Sequence, residues 1–224
     1  MEKILLIDKP AGLTSFGVVA RIRRVLTKGL TPPKRLKVGH AGTLDPFATG
    51  LLIVLVDRAT KLSKDFLKLD KEYEAEITLG SLSNTGDIEG IVQKSYTGAP
   101  KSEEEIKKVV QSFVGEISQT VPAFSAVKIN GRRAYDLARK GVAFETPTRT
   151  VTIYNIDILD YSWPVLKIRT SVSSGTYIRA LAEDIGKALG TGAYLTSLRR
   201  TKIASYSVSD ALPLSDFLNN YNKT

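Results

Sequence analysis

Cysteine is absent from this chain of 224 residues, and histidine occurs once, at His40. Without thiols there is no disulfide, no thiolate nucleophile and no Cys-ligated zinc. A lone imidazole also excludes a site built from several histidine ligands. A carboxylate-only magnesium site remains open, but no tight Asp/Glu cluster suggests one, so the expectation is no metal and no cofactor. Long apolar runs are missing as well. The best candidate, residues 51–56 ("LLIVLV"), has six residues, whereas a membrane-spanning helix needs about 20. The first ten residues, "MEKILLIDKP", have too short an apolar stretch and the wrong flanks for a signal peptide. These features predict a cytoplasmic protein with no membrane partner. No GxGxxG follows a strand-like segment and no GK[ST] lies near a glycine-rich loop, which removes the Rossmann and P-loop classes.

What is present is positive charge. The chain has 32 Lys and Arg against 23 Asp and Glu, a formal net charge of +9. Residues 1–38 alone carry nine basic side chains against Glu2 and Asp8. Clustered positive charge is the usual electrostatic footprint of nucleic-acid binding, although a merely soluble basic surface gives the same count.

Just after that basic segment comes "GHAGTLDPFATG", residues 39–50. Its three glycines keep the backbone permissive, while Pro46 fixes its own φ and pushes Asp45 out of the helical region. Such a loop holds one carboxylate at a set angle. The alternative is an Asp that only hydrogen-bonds nearby backbone N–H groups in a turn.

Periodicity organises the rest. "KILLID" and "LLIVLV" read as strands, and a helix capped by Ser15 runs to about Leu26 with Phe16, Val19, Ile22 and Leu26 on one face. "KEYEAEITLG" alternates as a strand ended by Gly80, and Ser102 with Glu105 forms a capping-box pattern. "TVPAFSAVKINGRRAYDLARKG" gives a short strand, an Asn130–Gly131 turn and a short helix stopped by Gly141. "TVTIYNIDILDYS" and "PVLKIRTSVSS" read as two adjacent long strands. "GTYIRALAEDIGKALG" is a helix with Ile178, Leu181, Ala182, Ile185 and Leu189 on its apolar face. "AYLTSLRRTKIASYSV" returns as strand and "LSDFLNN" as a final helix. Strands and helices mix without strict βαβ alternation, so the expected class is α+β around a mixed, largely antiparallel sheet flanked by helices.

Two further side chains stand out. Tyr73 lies in "DKEYEAEI", flanked by charges; an isolated strand tyrosine is most often a packing residue. Arg179 falls in the first turn of its helix, after a cap at Thr176 or Ser174, where a cation opposes the helix dipole by a few tenths to about 1 kcal/mol. An exposed pair with Glu183 would have the weaker Arg-before-Glu order. An anion elsewhere in the fold is the better explanation, and Asp45 would serve. An adjacent guanidinium would keep that carboxylate ionised and oriented.

At this point a resemblance enters. "DKPAGLTS" (8–15), "GHAGTLDPFATGLL" (39–52), "KEYEAEITLG" (71–80), "PAFSAVKINGRRAYDLARKG" (122–141), "SSGTYIRALAEDIG" and "LRRTKIASY" occur in the order of the motifs of the bacterial tRNA pseudouridine synthases that modify the T-loop uridine at tRNA position 55. The chain resembles that family over nearly its whole length. The resemblance implies isomerisation of uridine to pseudouridine on a tRNA T-stem-loop, with no cofactor, by a single catalytic domain acting as a monomer without an obligate protein partner. It implies Asp45 as the catalytic aspartate, Tyr73 stacked on the uracil and acting in removal of the carbon-5 proton, and Arg179 paired with Asp45. Leu198 would line the uracil pocket and His40 would hold the flipped nucleotide. Lys9 is grouped with the binding residues, though more as a brace of the site's floor than as a substrate contact. Residues 121–149 would form a thumb-like RNA-clasping insertion carrying Arg132 and Arg133. Only 24 residues follow Arg200, so the small C-terminal RNA-binding domain (PUA) usual in this family is expected to be absent.

Two other readings compete. A non-catalytic tRNA-binding or RNA-folding module would use Asp45 only to shape its loop. A metal-dependent nuclease would use Asp45, Asp87 and Glu89 as ligands.

Overall fold

The run at residues 51–56 is apolar throughout because its strand is covered on both faces. The computed structural model describes residues 2–28, 36–129 and 131–222. Ten strands form one mixed sheet with helices against it, and two further strand pairs stand apart. Of the strand pairings described residue by residue, most are antiparallel, as the sequence pattern predicts. The chain divides into two compact units, residues 1–73 with 198–224, and residues 74–197.

The first unit begins with β1 (Glu2–Lys9), α1 (Ser15–Thr27), β2 (Val38–His40) and β3 (Thr49–Asp57). A 3₁₀ turn then leads to α2 (Ser63–Lys68) and to β4 (Lys71–Leu79), which from Glu74 onward belongs to the second unit. β1 pairs antiparallel with β3 along its length, from Glu2 opposite Asp57 to Lys9 opposite Gly50. Leu52, Val54 and Val56 pack with Val18, Val19 and Ile22 of α1. Leu51, Ile53 and Leu55 point the other way, into a cluster with Ala41, Phe66 and Ile203. Each fully buried Leu, Ile or Val side chain of β3 contributes about 1.5–3 kcal/mol.

The start of α1 departs from the sequence reading. Thr14 is the N-cap and accepts from the Gly17 N–H at 2.9 Å, while Ser15 is the first helical residue and is buried. Phe16, expected on the apolar face, is 64% exposed, and Val18 is buried in its stead. The buried stripe is Ser15, Val18, Val19 and Ile22, spaced i, i+3, i+4 and i+7. Its polar member is turned inward because it has partners there, described below.

The second unit holds β5 (Ser81–Ser83), β6 (Val92–Lys94), α3 (Glu103–Gln111) and β7 (Gly115–Thr120). β8 (Lys128–Ile129), β9 (Arg132–Arg133) and α4 (Ala134–Arg139) follow, then β10 (Thr148–Ser162), β11 (Val165–Val172) and α5 (Ile178–Ala188). The expected capping box opens α3 with both bonds in place, and the two long strands β10 and β11 pair antiparallel. β8 and β9 form a hairpin; Asn130 of its expected turn lies outside the described residues. β12 (Ala193–Ile203) is shared between the units. The chain closes in the first unit with β13 (Tyr206–Ser207), β14 (Leu212–Pro213) and α6 (Leu214–Asn222).

Candidate active site

The loop that carries Asp45 is tethered from below by three buried polar side chains. Lys9, at the end of β1, is fully buried, and its Nζ donates to Leu13 O at 2.6 Å, Pro10 O at 3.0 Å and Pro46 O at 3.1 Å. Ser15 clasps one residue from both sides: its hydroxyl accepts from Leu44 N–H at 2.8 Å and donates to Leu44 O at 3.1 Å. Arg200 of β12, 1% exposed, donates from Nε to Leu51 O at 2.8 Å, from Nη2 to Gly42 O at 3.1 Å and from Nη1 to Thr43 O at 3.4 Å. Hydrogen bonds from charged donors contribute about 1.5–3 kcal/mol each. The loop closes on itself through Ala48 N–H to Asp45 O at 3.2 Å, and Gly12 N–H reaches Pro46 O at 2.9 Å. Asp45 itself is half-buried. The loop is glycine-bounded for a steric reason. Gly50 has φ +102°, and a Cβ there would lie 2.3 Å from the Arg200 carbonyl oxygen, so no other residue lets β3 and β12 approach.

The first unit also holds Tyr73, Leu198, Lys71 and His40. Tyr73 is 8% exposed, on the face of β4 that also buries Lys71, Ala75, Ile77 and Leu79. Leu198 is 6% exposed on β12. The Lys71 ammonium donates to the carbonyls of Leu67 and Leu69; burial, and then the Arg200 charge, lower its pKa to about 8. His40 is half-buried, and burial followed by the Arg200 guanidinium holds its pKa below the ordinary histidine value. Its Nδ1 is buried without a hydrogen-bond partner among the described residues. Both effects favour the neutral imidazole over the charged one.

In the second unit, Arg179 is 4% exposed at the start of α5. It donates to Thr85 O and to Phe124 O, each at 2.8 Å, and its Nη1 lies 3.5 Å from Asp87 Oδ2. Asp87 is itself fixed, its Oδ1 accepting from the Thr85 hydroxyl at 2.7 Å and from Glu89 N–H at 3.0 Å. Gly86 fits here because its φ of +75° lies in the left-handed region that a side chain disfavours. The first turn of α5 is capped differently from the expectation. Tyr177 is the N-cap, not Thr176 or Ser174, and no side chain of its own closes it. Gln119 does so from β7, its Oε1 accepting from Tyr177 N–H at 2.8 Å and its Nε2 donating to Tyr177 O at 3.0 Å.

Arg132 and Arg133 are exposed on β9. The guanidinium carbons of Arg133 and Arg139 lie 5.9 and 5.8 Å from the Tyr135 ring centre, within cation–π range. Among the described residues none of these three arginines forms an ion pair. Of the basic N-terminal segment, Arg21 and Arg24 are exposed on α1, and Lys34 and Arg35 lie outside the described residues. No group of three or more acids and histidines among the described residues could hold a metal ion. Asp87, offered as a nuclease ligand, faces an arginine instead.

Comparison with known proteins then decides the family. Residues 28–178 match the model for the TruB family pseudouridylate synthase, N-terminal domain, and residues 179–224 match the tRNA pseudouridylate synthase B C-terminal domain. The chain belongs to the TruB family of pseudouridylate synthases. Among its TruB relatives, the tRNA pseudouridine synthase B of Endomicrobium trichonymphae is 44% identical over 96% of this chain and 91% of that protein. That of Aquifex aeolicus is 44% identical over 99% of this chain and 75% of the relative. In structure, the TruB chain resembles one in a Cbf5–Nop10–Gar1 complex with a TM-score of 0.74 and 32% identity, over 97% of this chain. It spans about half, 54%, of that longer chain. No helix among the described residues is long and apolar enough to cross a membrane.

Proposed function

We propose that this TruB protein converts uridine 55 in the T-loop of tRNA to pseudouridine, with Asp45 as the catalytic carboxylate. The bond between ribose C1′ and uracil N1 breaks, the ring turns, and a bond from C1′ to carbon 5 forms. N1 gains a proton and carbon 5 loses one, so no electrons are exchanged and no cofactor is consumed. The target base must leave its stack, which costs a few kcal/mol, and an aromatic face such as Tyr73 returns about 1–3 kcal/mol by stacking. Tyr73 also serves in removing the carbon-5 proton. Arg179 pairs with Asp45 and keeps it ionised, Leu198 lines the uracil pocket, and the neutral ring of His40 holds the displaced nucleotide. Lys9 acts through the loop it braces. Arg132 and Arg133, in the thumb-like insertion at 121–149, bind RNA phosphates, which position the substrate without reading its sequence. The protein works as a monomer in the cytoplasm, without an obligate protein partner.

The observation that carries this reading is the tethered loop. Three buried polar groups from β1, α1 and β12 converge to fix one carboxylate-bearing turn in a chain whose family performs this isomerisation. The reading is tested with a T-stem-loop whose uridines are tritiated at carbon 5. Release of one equivalent of tritium, lost when position 55 is cytidine, is expected. Binding without release would support the RNA-folding module instead.

A further inference from the structure

The guanidinium of Arg200 touches both feet of the catalytic loop at once. Gly42 O and Thr43 O precede Asp45, Leu51 O follows it, and one planar fork bonds all three. Arg200 is buried, and its acceptors among the described residues are all neutral carbonyls rather than a carboxylate. Burying a cation without a counter-charge is costly, and two more basic groups, Lys71 and His40, lie close enough for its charge to disfavour their protonated forms. The fork provides a fixed span across the loop. Ser15 adds a second tether at Leu44, the residue immediately before Asp45.

We infer that Arg200 and Ser15 are positioning residues that set the reach of the Asp45 carboxylate, so that they govern the rate of the chemical step rather than tRNA affinity. This rests on the assignment of Asp45 as the catalytic carboxylate. A displacement of about 1 Å at a reacting group costs on the order of a hundredfold in rate. Lysine in place of Arg200 keeps the charge but donates from one nitrogen, where the guanidinium places three nitrogens on Leu51 O, Thr43 O and Gly42 O.

The test compares wild type, Arg200→Lys and Ser15→Ala by single-turnover tritium release, by tRNA dissociation constant, and by amide hydrogen exchange. For Arg200→Lys the expected result is a fall in single-turnover rate of about tenfold or more, given the sensitivity of reacting groups to placement. Its dissociation constant should stay within about threefold of wild type, since Arg200 is sequestered from RNA. The Leu44 and Ala48 amides should exchange faster while those of β1 and β3 stay protected. Ser15→Ala should show the same split with a smaller rate loss. Wild-type turnover in both variants overturns the inference. So does a parallel loss of rate, affinity and protection throughout the unit, which marks a merely structural role. If Arg200→Lys does not fold, Ser15→Ala decides: the split supports the inference and a wild-type rate overturns it. Absence of tritium release from the wild type itself would instead overturn the underlying assignment, and the inference with it.

Discussion

Replacing Asp87 separates two roles that its carboxylate plays through different oxygens. Oδ1 accepts from Thr85 Oγ1 and from Glu89 N–H, while Oδ2 faces Arg179 Nη1 at 3.5 Å. Both partners of the ion pair have side chains only 5% exposed, so solvent screens the pair little. Asp87→Ala removes two hydrogen bonds and leaves a buried guanidinium without this counter-charge. Breaking a buried pair by deleting one partner costs about 3–5 kcal/mol. The lower end applies here, because the 3.5 Å separation is long and Arg179 keeps its bonds to Thr85 O and Phe124 O. Asp87→Asn preserves an oxygen for Thr85 and Glu89 and loses only the charge. It should cost about 1–2 kcal/mol, in the range of a single net hydrogen bond. Urea unfolding followed by circular dichroism reads both values. A loss below about 1 kcal/mol for Asp87→Ala, the level of an exposed ion pair, would refute the claim that Asp87 stabilises buried Arg179.

Ser102→Ala removes the hydroxyl half of the α3 capping box and should lower the unfolding free energy by about 1 kcal/mol, measured in the same way. Arg132→Ala/Arg133→Ala should weaken tRNA binding and reduce the slope of log K against log salt, by about 0.7–0.9 for each phosphate no longer neutralised; an unchanged slope would remove these residues from the RNA surface. His40 is the sole histidine, so proton NMR can follow it without assignment, and its pKa should lie below the ordinary value of about 6.5. In the window between the folded value and 6.5 the unfolded chain binds more protons, so this group makes stability fall as pH drops through that window. His40→Gln should flatten that slope, and an NMR pKa at or above 6.5 would contradict the burial argument.

Much of this was legible in the sequence, for identifiable reasons. The six-residue run at 51–56 and the alternation of "KEYEAEITL" report burial directly, on two faces in one case and on one in the other. The capping box of α3 is a local motif with local partners. What escaped depends on neighbours distant in sequence. Ser15 looks like a helix cap until Leu44 is found beside it, and Thr14 one residue earlier does the capping. Gln119 falls on the buried side of β7 by simple alternation with Glu116 and Ser118, a signal that was there to find. Its partner at Tyr177, 58 residues away, was not. Arg200 reads as one of two adjacent arginines; only the fold shows that Arg199 reaches Asp8 while Arg200 turns inward to the loop. Asp87 reads as a free acid because its cation lies 92 residues further on, at Arg179.

The most direct measurement is tritium release from carbon-5-labelled T-loop uridine by Asp45→Asn, with tRNA affinity determined on the same preparation. The variant should bind tRNA as the wild type does and release no tritium above background. Turnover at a rate comparable to wild type would show that this carboxylate is not the group that begins the isomerisation.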